Sequence, residues 1–142
     1  MSIRILKASE INEEVQIRIT DLYRQLNPDN KQRTLTEIVT PQNNVLVLIC
    51  QIDHKIVGIA LLSTYKVISG YRGMVDDVVV DINQRGKGIG RKLMIRLIEE
   101  SEKMKLDEIL LFTGHHRAPA KALYESLGFK LRDSGLYNLQ LN

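Results

Sequence analysis

The sequence predicts an α+β fold in which about four helices flank a mixed, largely antiparallel central sheet of about six to seven strands. Short apolar runs separated by tight polar turns are typical of strands that pair as hairpins. Other segments repeat apolar residues at the spacing of an amphipathic helix, and one of them lies between two strands, which makes that pair parallel. The 142 residues, of which 44% are hydrophobic, predict a single domain over residues 1–142.

The first half of the chain predicts a strand, two helices and a hairpin. The predicted elements are a strand at 3–5, a helix at 11–26, a short helix at 34–41, and strands at 45–52 and 56–66. Thr34 and Glu37 have the spacing of a capping box at the start of the second helix. The nearly continuous apolar runs of the hairpin indicate a sheet that is covered on both faces.

The second half alternates strands with two longer helices. The predicted elements are a strand at 71–81, a helix at 89–104, a strand at 109–112, a helix at 117–127 and a final hairpin within 129–141. Gly128 has the position of a helix C-cap, and Asp133-Ser134-Gly135 has the composition of a hairpin turn.

A basic, glycine-rich turn connects the 71–81 strand to the next helix. Gly86, Gly88 and Gly90 allow tight turning, and the N–H groups at a helix start attract anions. Five basic and no acidic side chains surround them, namely Arg85, Lys87, Arg91, Lys92 and Arg96. This concentration of positive charge favours a ligand with several phosphates. The dinucleotide fingerprint fails because Leu93 occupies its last glycine position, and no Walker lysine followed by Ser or Thr is present.

Other classes of function are disfavoured by the composition. No apolar run approaches the roughly 20 residues that span a bilayer, and the first residues lack the apolar region of a signal peptide, so we expect a cytoplasmic protein without a membrane partner. The basic patch is short and lacks interleaved aromatic residues, so no nucleic-acid partner is expected. Cys50 is the single cysteine and has no internal disulfide partner. No metal site is expected, since the adjacent His115 and His116 have no acidic or cysteine partner at ligand spacing.

Two motifs resemble those of the GNAT superfamily of acyl-CoA N-acyltransferases. Arg85, Gly88 and Gly90 match the Arg-x-x-Gly-x-Gly spacing of its motif A, and residues 117–129 resemble the helix and strand of its motif B. The resemblance covers nearly the whole chain, although the first 45 residues match only in pattern. It implies a splayed parallel strand pair and acetyl-CoA as cosubstrate. It also implies direct attack of a primary amine, on a small-molecule acceptor, at the thioester.

The resemblance also implies roles for individual residues. The implied acetyl-CoA-binding residues are Val78, Val79, Val80, Arg85, Gly86, Lys87, Gly88, Ile89, Gly90, Arg91, Arg117, Ala120 and Tyr124. Tyr124 stands where the family has a tyrosine that donates a proton to the leaving sulfur. Arg117 is a departure, because many relatives have asparagine at that position.

Asp76 and Asp77 are the candidates that take the proton from the amine, because phosphosugar N-acetyltransferases of this superfamily have Glu-Asp at these positions. Consecutive strand residues point to opposite faces, so at most one of the two faces the acceptor unless a bulge intervenes. His115 and His116 are alternatives for proton transfer, since imidazole titrates near neutral pH.

Two alternatives to a small-molecule N-acetyltransferase stay open. One is a non-catalytic acyl-CoA-binding sensor or interaction module, and the other is a protein or peptide N-acetyltransferase. The acceptor would depend on the loops at 20–43, 64–73 and 130–138, where Tyr23, Tyr65 and Tyr71 are candidate pocket residues. Many members of the superfamily dimerise, so a homodimer is open as well.

Overall fold

The computed structural model describes all 142 residues, which form two compact units, Met1–Phe112 and Thr113–Asn142. The first unit contains a five-stranded sheet, whose strands are β1 Ser2–Ile5, β2 Val45–Ile52, β3 Lys55–Val67, β4 Gly70–Val80 and β5 Glu108–Leu111. Their order in the sheet follows the chain. The pairs from β1 to β4 are antiparallel, and β5 is parallel to β4. The predicted α+β fold with a mixed, largely antiparallel sheet is confirmed.

The helices are α1 Glu13–Leu26, α2 Leu35–Ile38 and α3 Ile89–Lys103 in the first unit, and α4 Ala118–Ser126 in the second. The predicted four helices are thus present, with one 3₁₀ turn at Ala8–Glu10 and another at Ile82–Gln84. None of the helices is long and apolar enough to cross a membrane.

The two faces of the sheet are covered by different helices, which explains the continuous apolar strands. Ile19 and Leu22 of α1 and Leu35 of α2 pack in one buried cluster with residues such as Val47 and Ile59 of the sheet. Helix α3 packs on the other face, where Gly58 leaves room for it. A Cβ at Gly58 would lie 3.0 Å from Leu93 Cδ1 of α3. Adjacent residues 58 and 59 therefore face α3 and α1 respectively, as strand alternation requires.

The second unit differs from the prediction after its helix. Gly128 follows the C-cap Leu127 with φ +98°, and the N–H of Phe129 donates to the carbonyl of Tyr124 at 3.1 Å, so the predicted helix end is confirmed. The predicted hairpin within 129–141 is wrong, because no strand follows α4. The sheet therefore has five strands rather than six to seven. Tyr137 and Leu139 are 97% and 82% exposed, and a two-stranded hairpin without a packed apolar face is only marginally stable.

The start of α2 is also built differently from the expected capping box. Thr34 is the N-cap residue, but its side chain makes no capping hydrogen bond to the backbone and instead donates to Glu37 Oε1 at 3.2 Å. The N–H of Leu35 donates to Gln16 Oε1 of α1 at 2.8 Å. A tertiary contact therefore fulfils the role that the local sequence predicted for Thr34.

Candidate active site

A β-bulge in β4 brings the two adjacent aspartates to one side of the sheet. Val79 pairs with Ile59 and Asp76 pairs with Leu61, so Asp77 and Val78 together oppose a single residue, Ala60. Asp77 has φ +53°, in the left-handed region that non-glycine residues seldom adopt. Residues directly opposite in a ladder point to the same face, so Asp76 shares the face of Leu61. The bulge reorients Asp77 towards that same face, where it lines a cavity with Leu61.

The edge of β4 beyond Val75 is not paired with β5. The parallel ladder runs from Arg72 opposite Glu108 to Val75 opposite Leu111 and then stops, whereas β4 continues to Val80. Segment 76–80 therefore has a strand partner on the β3 side alone. The resemblance implied a strand separation at Val78, Val79 and Val80, and these residues lie beyond the last pair of the parallel ladder. An unpaired strand edge presents backbone N–H and C=O groups that can bind an extended ligand.

The glycine turn leads directly from this edge into α3. Gly86 and Gly88 have φ of +81° and +75°, and Gly88 is the N-cap of α3. A Cβ at either glycine would meet no atom within 4 Å, so the turn borders open space. The first helical bond across the turn runs from the N–H of Lys92 to the carbonyl of Gly88 at 3.1 Å. The N–H groups of Ile89, Gly90 and Arg91 at the start of α3 lie before this bond and have no intrahelical acceptor. Backbone donors and open space of this kind fit a phosphate group.

The basic side chains around the turn are not equivalent. Arg96 donates to Glu100 Oε1 at 2.9 Å and to the carbonyl of Ile3 at 3.0 Å, so it joins α3 to β1. Arg85 Nε donates to the carbonyl of Val80 at 3.3 Å. Lys87 Nζ donates to Gln84 Oε1 at 2.6 Å, and Lys92 is exposed without a hydrogen bond or ion pair. Arg85 and Lys87 are exposed beside the glycines, which leaves their remaining N–H groups accessible to an anion.

The end of β4 is fixed to α1 by a buried ion pair that the sequence did not reveal. Arg18 Nη2 donates to Asp81 Oδ2 at 2.6 Å, with only 19% and 6% of the two side chains exposed. Asp81 also accepts from the N–H of Asn83 at 3.1 Å and from Gln25 Nε2 at 3.4 Å. The hydrogen bond from Arg18 holds the pKa of the Asp81 carboxyl below its usual range. Asp81 is also a turn residue, since its side chain caps the 3₁₀ turn at Ile82–Gln84.

A cavity of about 210 Å³ lies under α1 and α2, on the face of the sheet that carries Asp77. Aliphatic side chains form half of its lining residues, and Tyr23, a predicted pocket residue, contributes an aromatic ring. Lys31 and Arg33 lie at its rim in the loop between α1 and α2. Sequence reasoning missed both cations, although the Lys-Gln-Arg run within the 20–43 loop was a usable signal.

The electrostatics of the two aspartates favour proton transfer. Burial raises the pKa of Asp77, and the charge of Asp76 raises it further. Asp76 is more exposed, but desolvation of its carboxyl raises its pKa as well. A carboxylate whose pKa is raised is a stronger base than an ordinary aspartate. The carboxylate of Asp77 also makes no hydrogen bond or ion pair, which leaves it available to a ligand.

The remaining predicted site residues belong to the second unit. Arg117, Ala120 and Tyr124 follow one another at spacings of three and four residues along α4 and its N-cap, so they share one face. The Tyr124 ring meets that of Phe129 edge-to-face, with centroids 6.0 Å apart. Burial raises the pKa of Tyr124, and the charge of Arg117 opposes this change. The phenol is therefore held in its protonated form at neutral pH.

The other candidates from the sequence have simpler surroundings. His115 and His116 are exposed, and the ring of His116 lies against Gly114, where a Cβ would be 2.6 Å from His116 Cε1. Tyr71 lies beneath Lys66 Nζ, 4.8 Å from its ring centroid, in the β3–β4 hairpin. Neither Tyr65 nor Tyr71 lines the cavity.

Comparison with known proteins identifies the family. Residues 14–129 match the Acetyltransferase (GNAT) family, and the chain belongs to this family of acyltransferases. Family members use acetyl-CoA as cosubstrate, and the open glycine turn fits its phosphates.

Individual relatives have different substrates. The chain is 31% identical over 104 residues to N-alpha-acetyltransferase 30 of Saccharomyces cerevisiae, a match covering 72% of this chain and 52% of that protein. It is 31% identical over 84 residues to an L-methionine sulfoximine/L-methionine sulfone acetyltransferase of Salmonella typhimurium, covering 58% and 49%. The chain thus spans about half the length of the curated relatives it matches. Its fold is similar to that of glucosamine-6-phosphate N-acetyltransferase from Arabidopsis thaliana, with a TM-score of 0.77, 21% identity and coverage of 98% and 99%.

Proposed function

We propose that this protein transfers an acetyl group from acetyl-CoA to a primary amine of a small-molecule acceptor. The observation that carries the proposal is the unpaired edge of β4 at 76–80, which runs into the open glycine turn of a family member. A strand edge followed by a helix start offers backbone groups first to amides and then to phosphates, which is the order in which pantetheine and pyrophosphate occur in CoA. A cytoplasmic location belongs to the proposal, and the unpaired, buried Cys50 is consistent with a reducing compartment.

In this proposal the chain binds the cosubstrate through backbone and side-chain groups. The backbone of Val78, Val79 and Val80 pairs with the pantetheine amides, and the turn from Arg85 to Arg91 binds the phosphates. Arg117 and Ala120 contact the cosubstrate from α4. Bound acetyl-CoA supplies an acyl group that is activated as a thioester.

Two side chains move protons in the proposed reaction. A typical ammonium with a pKa near ~10 cannot attack until it loses a proton, and Asp77 accepts that proton directly or through water. The raised pKa of Asp77 and its free carboxylate support this role, and the charge of Asp76 contributes to that raised pKa. The C–N bond then forms, the C–S bond breaks, and the second proton of the nitrogen leaves to water, from which Tyr124 regains the proton that it gives to sulfur. Tyr124 donates its proton to the departing sulfur, a role supported by its protonated state at neutral pH.

Calorimetry with acetyl-CoA tests the first step. Acetyl-CoA should bind saturably and more weakly at high salt, and removal of the 3′-phosphate should weaken it, because exposed cations surround the turn. A folded sample that binds no acetyl-CoA at millimolar concentration would contradict the proposal. Release of free CoA thiol with a panel of amines then tests transfer. Tight binding without transfer to any amine would instead favour the non-catalytic sensor.

A protein or peptide acceptor is the second candidate, because one relative is named as an N-alpha-acetyltransferase. The cavity of about 210 Å³ lies below the roughly 300–1,000 Å³ typical of ligand pockets, so it would admit one residue of a peptide. Comparison of kcat/KM for peptides and for free amines separates the two candidates.

A further inference from the structure

The wall of the cavity beside Asp77 limits the kind of molecule that fits there. Its most buried members are aliphatic side chains from α1, α2, β2 and β3, namely Ile19, Leu35, Val47 and Ile59. A hydroxyl group against such a wall would lose its hydrogen bonds to water, which is costly. The wall therefore favours a hydrocarbon segment over a polyhydroxylated ring.

The two side-chain amides of the lining are already engaged within the protein. Gln16 accepts from the N–H of Leu35 at 2.8 Å and donates to Thr20 Oγ1 at 3.0 Å. Gln32 Nε2 donates to the carbonyl of Thr20 at 3.0 Å. These contacts fix the loop to α1, so the two amides contribute little to recognition of a sugar hydroxyl.

The charged groups of the lining, in contrast, are available. Asp77 and Lys31 make no hydrogen bond or ion pair, with each other or with other residues. Arg33 is 76% exposed and lies 3.9 Å from Glu37, which is a weak contact. The lining thus has a free carboxylate on β4 and two cations at the rim. A ligand with an ammonium and an anionic group would complement both kinds of charge.

We propose that the acceptor is a compact amine with an aliphatic body and a second, anionic group, which Lys31 and Arg33 bind while Asp77 receives the amine. This inference rests on the proposed function and narrows it from any small amine to aliphatic amino carboxylates or amino phosphonates. The anion is the common feature, and the apolar wall disfavours amino sugars. Lys31 and Arg33 are specificity-determining residues in this scheme.

Matched amines test the role of the anion. The probes are 5-aminopentanoate, the neutral 5-amino-1-pentanol of similar length, 3-aminopropylphosphonate and glucosamine, each assayed by release of CoA thiol. The anionic probes should exceed the neutral alcohol in kcat/KM by about tenfold, from two exposed charge contacts. Comparison of 5-aminopentanoate with 3-aminopropylphosphonate shows whether the site prefers a carboxylate or a phosphonate. Equal kcat/KM for the matched amines, or preference for glucosamine or a peptide, would overturn the inference and leave the acetyltransferase proposal intact.

Variants assign the effect to the two cations. Lys31→Gln/Arg33→Gln should remove most of the tenfold preference through KM and leave kcat/KM for the neutral alcohol within about twofold. Lys55→Gln, at the exposed lysine that begins β3, is the matched control and should change neither value. An equal loss with charged and neutral probes would refute a specific role for the cations.

Calorimetry with the same probes, in the presence of CoA, separates the two proposals. Salt-sensitive binding of the anionic probes that the double variant abolishes, without any turnover, would support the inference and contradict the proposed activity. Absence of preferential binding and of preferential turnover would overturn the inference whatever the activity.

Discussion

Replacing Asp81 by asparagine should destabilise the protein by about 3 kcal/mol. The substitution keeps the shape of the side chain and an acceptor for Asn83 and Gln25, but it removes the charge that faces Arg18. Loss of one partner from a buried ion pair costs about 3–5 kcal/mol, because the other charge stays desolvated. The lower end applies here, since the Arg18 side chain is 19% exposed and its Nε still donates to the carbonyl of Ile56.

Urea unfolding followed by far-ultraviolet circular dichroism measures this loss as a lower midpoint at unchanged slope. Asp21→Asn is the matched control, because Asp21 forms an exposed pair with Arg24 in the same helix and should change stability by less than about 0.5 kcal/mol. A cycle with Arg18→Met should give a coupling energy of about 2 kcal/mol. Equal effects of Asp81→Asn and Asp21→Asn would refute the reasoning.

The cost of Asp81→Asn should also depend on pH. Arg18 holds the pKa of folded Asp81 below the unfolded value of about 3.9, so the pair contributes fully above that value. Its contribution is lost as the pH falls through the folded pKa. The difference between the wild type and Asp81→Asn should therefore be largest above about pH 5 and smaller at pH 3. A difference that is constant from pH 7 to pH 3 would show that the charge of Asp81 is not the cause.

Four further substitutions test the site and the sheet that carries it. Asp76→Asn removes a charge that raises the pKa of Asp77, so the acidic limb of the kcat/KM profile should move to lower pH, and an unmoved limb would exclude the coupling. Tyr124→Phe should lower kcat by roughly 10²-fold while calorimetry gives an acetyl-CoA Kd within about twofold, and unchanged turnover would remove Tyr124 from the mechanism. Gly88→Ala should cost about 1–2 kcal/mol in urea unfolding from backbone strain alone, because its Cβ meets no atom. Gly73→Ala should instead cost about 1–3 kcal/mol from overpacking, since its Cβ would lie 2.7 Å from a methyl group of Leu62. Urea unfolding curves of the two glycine variants with the midpoint and slope of the wild type would contradict both values.

Local patterns predicted the parts of the fold that local physics determines. The helix after the glycine turn and the paired strands follow from apolar periodicity, and Gly128 follows from the need for positive φ at a helix end. The β2–β3 turn is also determined locally, because Asp53 and His54 both have positive φ in a two-residue loop. Alternating apolar residues near the C-terminus had the same local signal for a hairpin but no packed face, so this prediction was wrong.

Contacts between distant residues were beyond such reasoning. The residue that caps α2 is Gln16, 19 positions before Leu35, and the partner of Asp81 is Arg18, 63 positions earlier. In the sequence, Arg18 looks like any charged residue on the solvent face of an amphipathic helix. Its role appears only when α1 packs across the sheet and brings it to the end of β4.

The bulge in β4 links the fold to the proposed chemistry. A regular strand would place Asp76 and Asp77 on opposite faces, and one of them would then lie on the face covered by α3. With one extra residue against Ala60, both carboxylates are placed on the side of α1 and α2, where the charge of Asp76 raises the electrostatic cost of ionising Asp77. The unusual φ of Asp77 is the conformational cost of this arrangement, of order 1–3 kcal/mol. Such strain is tolerated where the neighbouring strand pairs fix the backbone on both sides, and here β3 pairs with β4 immediately before and after the bulge.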